Sequence, residues 1–279
     1  MIDRRAFLLG AAVVACSKSG TQTTSSSTGQ RIVSLSPSTT EAIFAIGAGE
    51  HLVGRSRYCD FPKEVLKLPQ VGGYVDPSFE AILALKPDLV VGARGPAGTA
   101  ITDRLEARGI ATYFPPTESF AQIDEMILGI GERTSRAAEA KANVDRLHER
   151  IRAVEARVSS LPKVRVLLVF GLEPISVAGP GGFPDEMLQK AGAKNVIDAG
   201  GSYPTLGIER VLTLDPDVVI NAAMAEKNSA ERMGKDAPAW GRVRAVREGH
   251  LVSIDDESIL RPGPRIAEGL EILAKAIHP

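Results

Sequence analysis

This chain of 279 residues holds only two cysteines, Cys16 and Cys59, too few for a disulfide framework, so its core must hold the fold together. Cys59 reads as a small buried filler rather than a reactive thiol. The four histidines, His51, His148, His250 and His278, are too scattered for a three-histidine site for a bare metal ion. Neither sign of charge dominates: 33 basic against 34 acidic residues leave a net charge of −1, which excludes a broad basic field for nucleic acid. A Gly-x-Ser-x-Gly elbow is absent, and Gly179-Pro180-Gly181-Gly182 lacks the Lys-Ser/Thr of a phosphate loop, so neither a serine hydrolase nor an ATPase is supported. The glycine run reads instead as a turn presenting backbone N–H groups. Aromatic residues make up 5% of the chain, which gives weight to where they fall.

What is present begins with an address. Arg4-Arg5 precedes an apolar stretch ending at Ala15, too short to span a bilayer but suited to an export signal over residues 1–15. Val13-Val14-Ala15-Cys16 is similar to a lipoprotein cleavage box, with Val13 where Leu is more usual. Cys16 then becomes an acylated N-terminus, and residues 16–30, rich in Ser, Thr and Gly, a flexible tether. The expected location is the periplasmic or outer side of a membrane, with the protein lipid-anchored after export; a plain cleaved secretory peptide is the alternative.

The body contains a duplication. The segments Phe79-Glu80-Ala81-Ile82-Leu83-Ala84-Leu85-Lys86-Pro87-Asp88-Leu89-Val90-Val91 and Ile208-Glu209-Arg210-Val211-Leu212-Thr213-Leu214-Asp215-Pro216-Asp217-Val218-Val219-Ile220 share one pattern. Each is a short helix opening on glutamate, a proline that stops it, and a buried apolar strand. Strands are also expected at Arg31–Ser36, Val164–Phe170, Ile110–Phe114 and His250–Ile254, with helices at Glu41–Ile46 and Pro184–Lys190 after turns at Pro37-Ser38-Thr39 and Gly179–Gly182. Alternating strands and helices argue an α/β fold of two similar lobes, residues 31–118 and 163–279, each with a mostly parallel sheet. Between them, over 119–162, Ala140, Val144, Leu147, Ile151, Val154, Val158 and Leu161 recur at steps of four and three. These mark one amphipathic helix from an N-cap at Ser135 to about Ser159, packed across both lobes rather than forming a coiled-coil dimer. A monomer follows, with little closure on binding.

Several segments together carry a resemblance: Arg31-Ile32-Val33-Ser34-Leu35-Ser36-Pro37-Ser38-Thr39-Thr40-Glu41, Tyr58-Cys59-Asp60-Phe61-Pro62, Val71-Gly72, Leu85-Lys86-Pro87-Asp88-Leu89-Val90 and Arg261-Pro262-Gly263-Pro264-Arg265-Ile266. In this order, over residues 31–277, the chain resembles the helical-backbone periplasmic substrate-binding proteins of ATP-driven (ABC) importers for cobalamin, haem and ferric siderophores. The resemblance implies two lobes bridged by a helix, a ligand cleft between them and a permease dimer as partner. It aligns Glu80 and Glu209 with the family's permease-docking glutamates; each also complements its own helix dipole. By likeness to the cobalamin-binding branch, Tyr58, Tyr74, Phe170 and Tyr203 fall at aromatic cleft positions and Glu257 and Arg261 near polar contacts. Ala93 stands where that branch can carry a large aromatic, and Arg94 beside it could neutralise an acidic ligand. The reading is capture of cobalamin or a related corrinoid without covalent chemistry, no catalytic cofactor and no protein-held metal. Haem or a ferric siderophore is the alternative ligand. An envelope enzyme or a permanently docked regulatory lipoprotein of the same fold is the alternative of another class.

Overall fold

The computed structural model describes residues 29–94 and 100–279; the export signal, Cys16 and most of the tether lie outside them. The first lobe runs β1 (Ile32–Ser34), α1 (Pro37–Ala45), β2 (Leu52–Arg55), α2 (Phe79–Ala84), β3 (Leu89–Val91), α3 (Ala100–Glu106) and β4 (Ala111–Tyr113). Its four strands are all parallel, in the order β2-β1-β3-β4. Helix α1 starts earlier than the sequence suggests. Ser36 caps it by accepting the Thr39 N–H, and Pro37, whose missing N–H costs nothing in a first turn, belongs to the helix rather than to a turn before it.

The segment between the lobes forms α4 (Phe120–Arg133) and the longer α5 (Ala137–Val158), the bridging helix that the spacing predicts. Ser135 does not cap the second helix; it takes a left-handed conformation at φ 58° that ends the first and turns the chain back. Helix α4 packs on α1 and on α5, while α5 packs on the last helix of the chain and on α6 (Phe183–Lys190). At 22 residues α5 is about 33 Å long. Ala140, Val144, Leu147, Ile151, Val154 and Val158 are its buried seam, as their spacing predicts, whereas Leu161 lies past the helix and is exposed.

The second lobe runs β5 (Val164–Leu172), β6 (Ile175–Val177), α6, β7 (Ala193–Asn195), β8 (Thr205–Leu206), α7 (Ile208–Leu214), β9 (Val218–Asn221), α8 (Ser229–Arg232), α9 (Arg244–Arg247), β10 (Leu251–Ser253) and α10 (Ile266–Ile277). Its sheet has the order β10-β9-β5-β6-β8, with β7 also on β5. Strands β10, β9, β5 and β7 are parallel; β6 and β8 are antiparallel additions.

The duplication extends to single hydrogen bonds. In the first lobe Asp88 accepts the Arg31 backbone N–H at 2.8 Å, and Arg31 donates its guanidinium to the Leu85 carbonyl. In the second, Asp217 accepts the Arg165 N–H at 3.2 Å, and Arg165 donates to the Leu214 carbonyl. Lys86 and Asp215, equivalent positions after the helix, are both left-handed, at φ 47° and 44°. The same ladder follows: Ile32 pairs with Leu89, and Val166 with Val218. Equal sequence has produced an equal strand–helix–strand joint, stiff enough to carry loops at the strand ends.

Candidate functional site

The segments that follow the parallel strands of the first lobe line a cleft shared with Leu260, Arg261 and Pro262 of the second, at strand ends of the kind where open α/β sheets bind ligands. Its volume is about 450 Å³, and Ser36, Tyr58, Tyr74, Arg94, Glu118 and Arg261 are among its lining residues. Ser36 fixes one corner: its hydroxyl accepts the Ala93 N–H at 3.0 Å, tying the end of β3 to the start of α1. The loop bearing Tyr74 needs glycine at Gly72, which sits at φ 101° with the Asp76 carbonyl 2.6 Å from where a Cβ would stand. Tyr74 then donates its hydroxyl to the Arg94 carbonyl at 3.0 Å. Tyr58 leaves half its surface open, and its backbone N–H is held by the Ser56 hydroxyl.

Phe170, on β5, Tyr203, before β8, and Glu257 are not among the residues lining this cavity, to which the second lobe gives Leu260, Arg261 and Pro262. The Phe170 and Tyr203 rings meet at 6.1 Å between centroids and 53°, a tilted aromatic pair. The Tyr203 loop lies so close to Gly179 that any Cβ there would strike the Gly201 carbonyl. Two of the glycine turn's three N–H groups are taken: Gly179 N–H goes to the Ser202 carbonyl and Gly181 N–H to Asp185. Tyr203 crosses to the first lobe, donating its hydroxyl to Glu118 Oε2 at 3.0 Å. Glu118 was not singled out in the sequence. It is placed by the start of α4, where Ser119 accepts the Gln122 N–H and Gln122 Oε1 accepts the Glu118 N–H, a variant of the capping box. A Ser-x-x-Gln run before an apolar helix was the available signal. Burial first, and then Glu118, push the Tyr203 phenol well above its ordinary pKa and raise Tyr74 in the same way.

Arg261 reaches the cleft from the segment after the turn of 3-10 helix at Glu257–Ile259. It donates to Glu41 at 3.0 Å and to Asp60 at 2.8 Å, and it pairs with Glu257. Glu41 is only 1% exposed and also accepts a two-point contact from Arg265, at 2.8 and 2.9 Å. Thus two segments that stand 220 residues apart form an inter-lobe clamp directly behind the cleft. Burial would depress Arg261, but Asp60 and Glu41 outweigh it and its pKa stands raised; burial also lifts the Glu257 carboxyl above its usual range, with Arg261 opposing.

Glu80 and Glu209 lie away from the cleft. Both occupy the second position of a short helix, after Ser78 in α2 and after Gly207 in α7, and both are exposed. Glu80 has no ion pair among the described residues, whereas Glu209 accepts from Arg242 at 3.0 Å. Cys59 is fully buried, with its sulfur 3.3 Å from the Ser56 hydroxyl. Among the described residues no cluster of His, Cys, Asp or Glu could hold a metal ion, and no helix is long and apolar enough to cross a membrane.

This architecture has close counterparts. The chain is 28% identical over 245 residues to the vitamin B12-binding protein of Vibrio vulnificus, covering 87% of this chain and 88% of that one. The crystal structure of the periplasmic vitamin B12 binding protein BtuF of Vibrio cholerae superposes with a TM-score of 0.77 at 25% identity, over 89% of this chain and 96% of that one. A periplasmic haem binding protein from Pseudomonas aeruginosa superposes with a TM-score of 0.77 at 28% identity, over 90% and 93%. Residues 32–258 match the family described as periplasmic binding protein, and the chain belongs to that family of solute-binding proteins.

Proposed function

We propose that this protein captures cobalamin or a related corrinoid outside the cytoplasm and hands it to the permease of an ATP-driven importer, without catalysing any reaction on it. The observation that carries the reading is the aromatic character of the cavity: Tyr58 and Tyr74 of the first lobe line it, and the tilted Phe170–Tyr203 pair of the second is joined to its lining residue Glu118 through the Tyr203 hydroxyl. Flat rings suit a corrin face, and phenol and carboxylate groups around them suit its amide rim. Haem is the alternative ligand: among the described residues the cavity lining holds no histidine, but Tyr58 and Tyr74 are there, and a tyrosine can serve as the axial ligand of haem iron.

Glu80 and Glu209 are the docking contacts of this proposal. Their equal place in two equal helices lets each receive an arginine from one half of a symmetric permease. Cys16, lying outside the described residues, is the lipid anchor, and residues 31–118, 119–162 and 163–279 serve as lobe, bridge and lobe of a monomer.

The test is a calorimetric titration of residues 30–279 with cyanocobalamin, with haemin and ferrichrome alongside. One-to-one binding of cyanocobalamin at micromolar affinity or tighter, about −8 kcal/mol or better, and weakened by Tyr203→Ala, is expected. Heat from an iron chelate alone would keep the transport role and replace the ligand.

A further inference from the structure

Tyr58 and Tyr74 line the cavity from two different loops of the first lobe. The turn around Tyr58 is rooted from below: Arg55, buried, donates to the Ser56 carbonyl at 3.1 Å and to the Cys59 carbonyl at 3.0 Å. The loop of Tyr74 closes on itself, with Gly72 bridged to Pro77 and the Ser78 N–H on the Val71 carbonyl at 2.7 Å. Arg57 joins the two loops. Its backbone N–H donates to the Gly72 carbonyl at 2.8 Å, and its guanidinium takes both carboxylate oxygens of Asp76, at 3.1 and 2.8 Å. Such a fork fixes direction as well as distance. The same guanidinium stands 5.8 Å from the centre of the Tyr58 ring. Gly73 leaves room for it, since a Cβ there would strike Asp76 Oδ1 and Arg57 Nη1. Neither Arg57 nor Asp76 lines the cavity, and with side chains 43% and 56% exposed the pair adds little to stability.

Resting on the corrinoid reading above, we infer that Arg57 and Asp76 are positioning residues of the ligand site, holding the Tyr58 and Tyr74 loops in register so that the two rings form one prepared wall. Arg57 adjoins Tyr58 in the chain and Asp76 stands two residues after Tyr74, so a change in the fork is passed to both rings. Without the fork each loop keeps its own root but loses its place against the other. A flat ligand must then order both rings as it binds, and that ordering is charged to affinity rather than to folding. Charge alone does not suffice, because a lysine at position 57 has no planar fork to offer a carboxylate.

A double-mutant cycle read by calorimetric titration of residues 30–279 with cyanocobalamin tests this. Arg57→Ala and Asp76→Ala each weaken binding about fivefold, the scale of one hydrogen bond or one newly immobilised side chain, while their melting temperatures stay close to the parent's. The double variant weakens binding no further than either single one. Arg57→Lys, which keeps the charge, and Gly73→Ala, which keeps both charges but displaces the fork, bring the same loss. In the ligand-free protein the near-ultraviolet dichroism of the tyrosines, of which Tyr58 and Tyr74 are two among four, changes alike in the two single variants. Affinities equal to the parent's in both single variants, losses that add in the double variant, or unchanged dichroism would each overturn the inference. So would a fall in melting temperature that accounts for the loss of affinity, since the pair would then hold the fold rather than the rings. A folded parent that gives no heat with cyanocobalamin would instead overturn the corrinoid reading, and the dichroism would still decide whether the fork sets the rings.

Discussion

The two lobes repeat one strand–helix–strand joint down to its hydrogen bonds, yet they meet the cleft and the solvent differently. The first lobe is a plain parallel sheet whose strand ends support loops carrying Tyr58, Tyr74 and Arg94. The second inserts antiparallel β6 and β8 beside β5, and that extra edge brings Tyr203 across to Glu118. The outer faces differ as well. In the first lobe Phe79, at the start of α2, is 7% exposed beneath the Arg104 guanidinium, 3.8 Å from the ring centre. Its counterpart Ile208 borders an open recess of about 690 Å³ shared with Arg232 and Trp240. A repeat preserves the joint that the core requires and leaves the loops free to diverge, so what differs between copies is where ligand and partner specificity can be built.

The sharpest way to break the pair of lobes apart is at their clamp. Glu41→Ala leaves Arg261 and Arg265 without their shared carboxylate and is expected to cost about 3 kcal/mol, at the low end for a buried pair because both arginines keep some contact with water. Chemical denaturation measures this, with Asp60→Ala, on the exposed side of Arg261, costing under about 1 kcal/mol as the control. At the cleft, Tyr203→Phe removes the bond between lobes and Tyr74→Phe one within a lobe. The former is expected to weaken cyanocobalamin binding several-fold, near the roughly 1 kcal/mol of one hydrogen bond, and the latter less, both read by titration.

The joint of the second lobe responds to acid through Asp217. Burial alone would raise Asp217, but Arg244 and the Arg165 N–H hold it below the usual carboxylate value. A depressed folded pKa means stability that is present above the unfolded value, about 4, and is lost as pH falls through the folded one. Asp217→Asn is therefore expected to flatten the loss of thermal stability below about pH 4 relative to the parent. The smallest effect belongs to the docking glutamates. Arg242→Ala frees Glu209 to match Glu80 and changes stability by less than about 0.5 kcal/mol, since the pair is largely exposed; a larger loss would assign Arg242 a structural role.

Much of this was legible before any coordinates. Proline and left-handed residues after α2 and α7 punctuate the repeat, and the four-three spacing of Ala140 to Val158 marks the bridging seam, because both patterns are local. The break between α4 and α5 was hidden: Ser135 is as common at an N-cap as in a turn, and only the packing of α4 on α1 decides. The Glu41 clamp was hidden for a different reason. Glu41, Arg261 and Arg265 stood in the segments that carried the family resemblance, but nothing in one sequence pairs charges so far apart. Glu118 and its bond to Tyr203 depend likewise on two lobes meeting.

The most direct test of the account is a crystal structure of residues 30–279 grown with cyanocobalamin. The corrin is expected between Tyr58 and Tyr74 on one side and Phe170 and Tyr203 on the other, within reach of Arg94, Glu118 and Arg261. A corrin seated elsewhere on either lobe, or a cleft left without it at saturating ligand, would contradict the assignment of this cleft as the binding site.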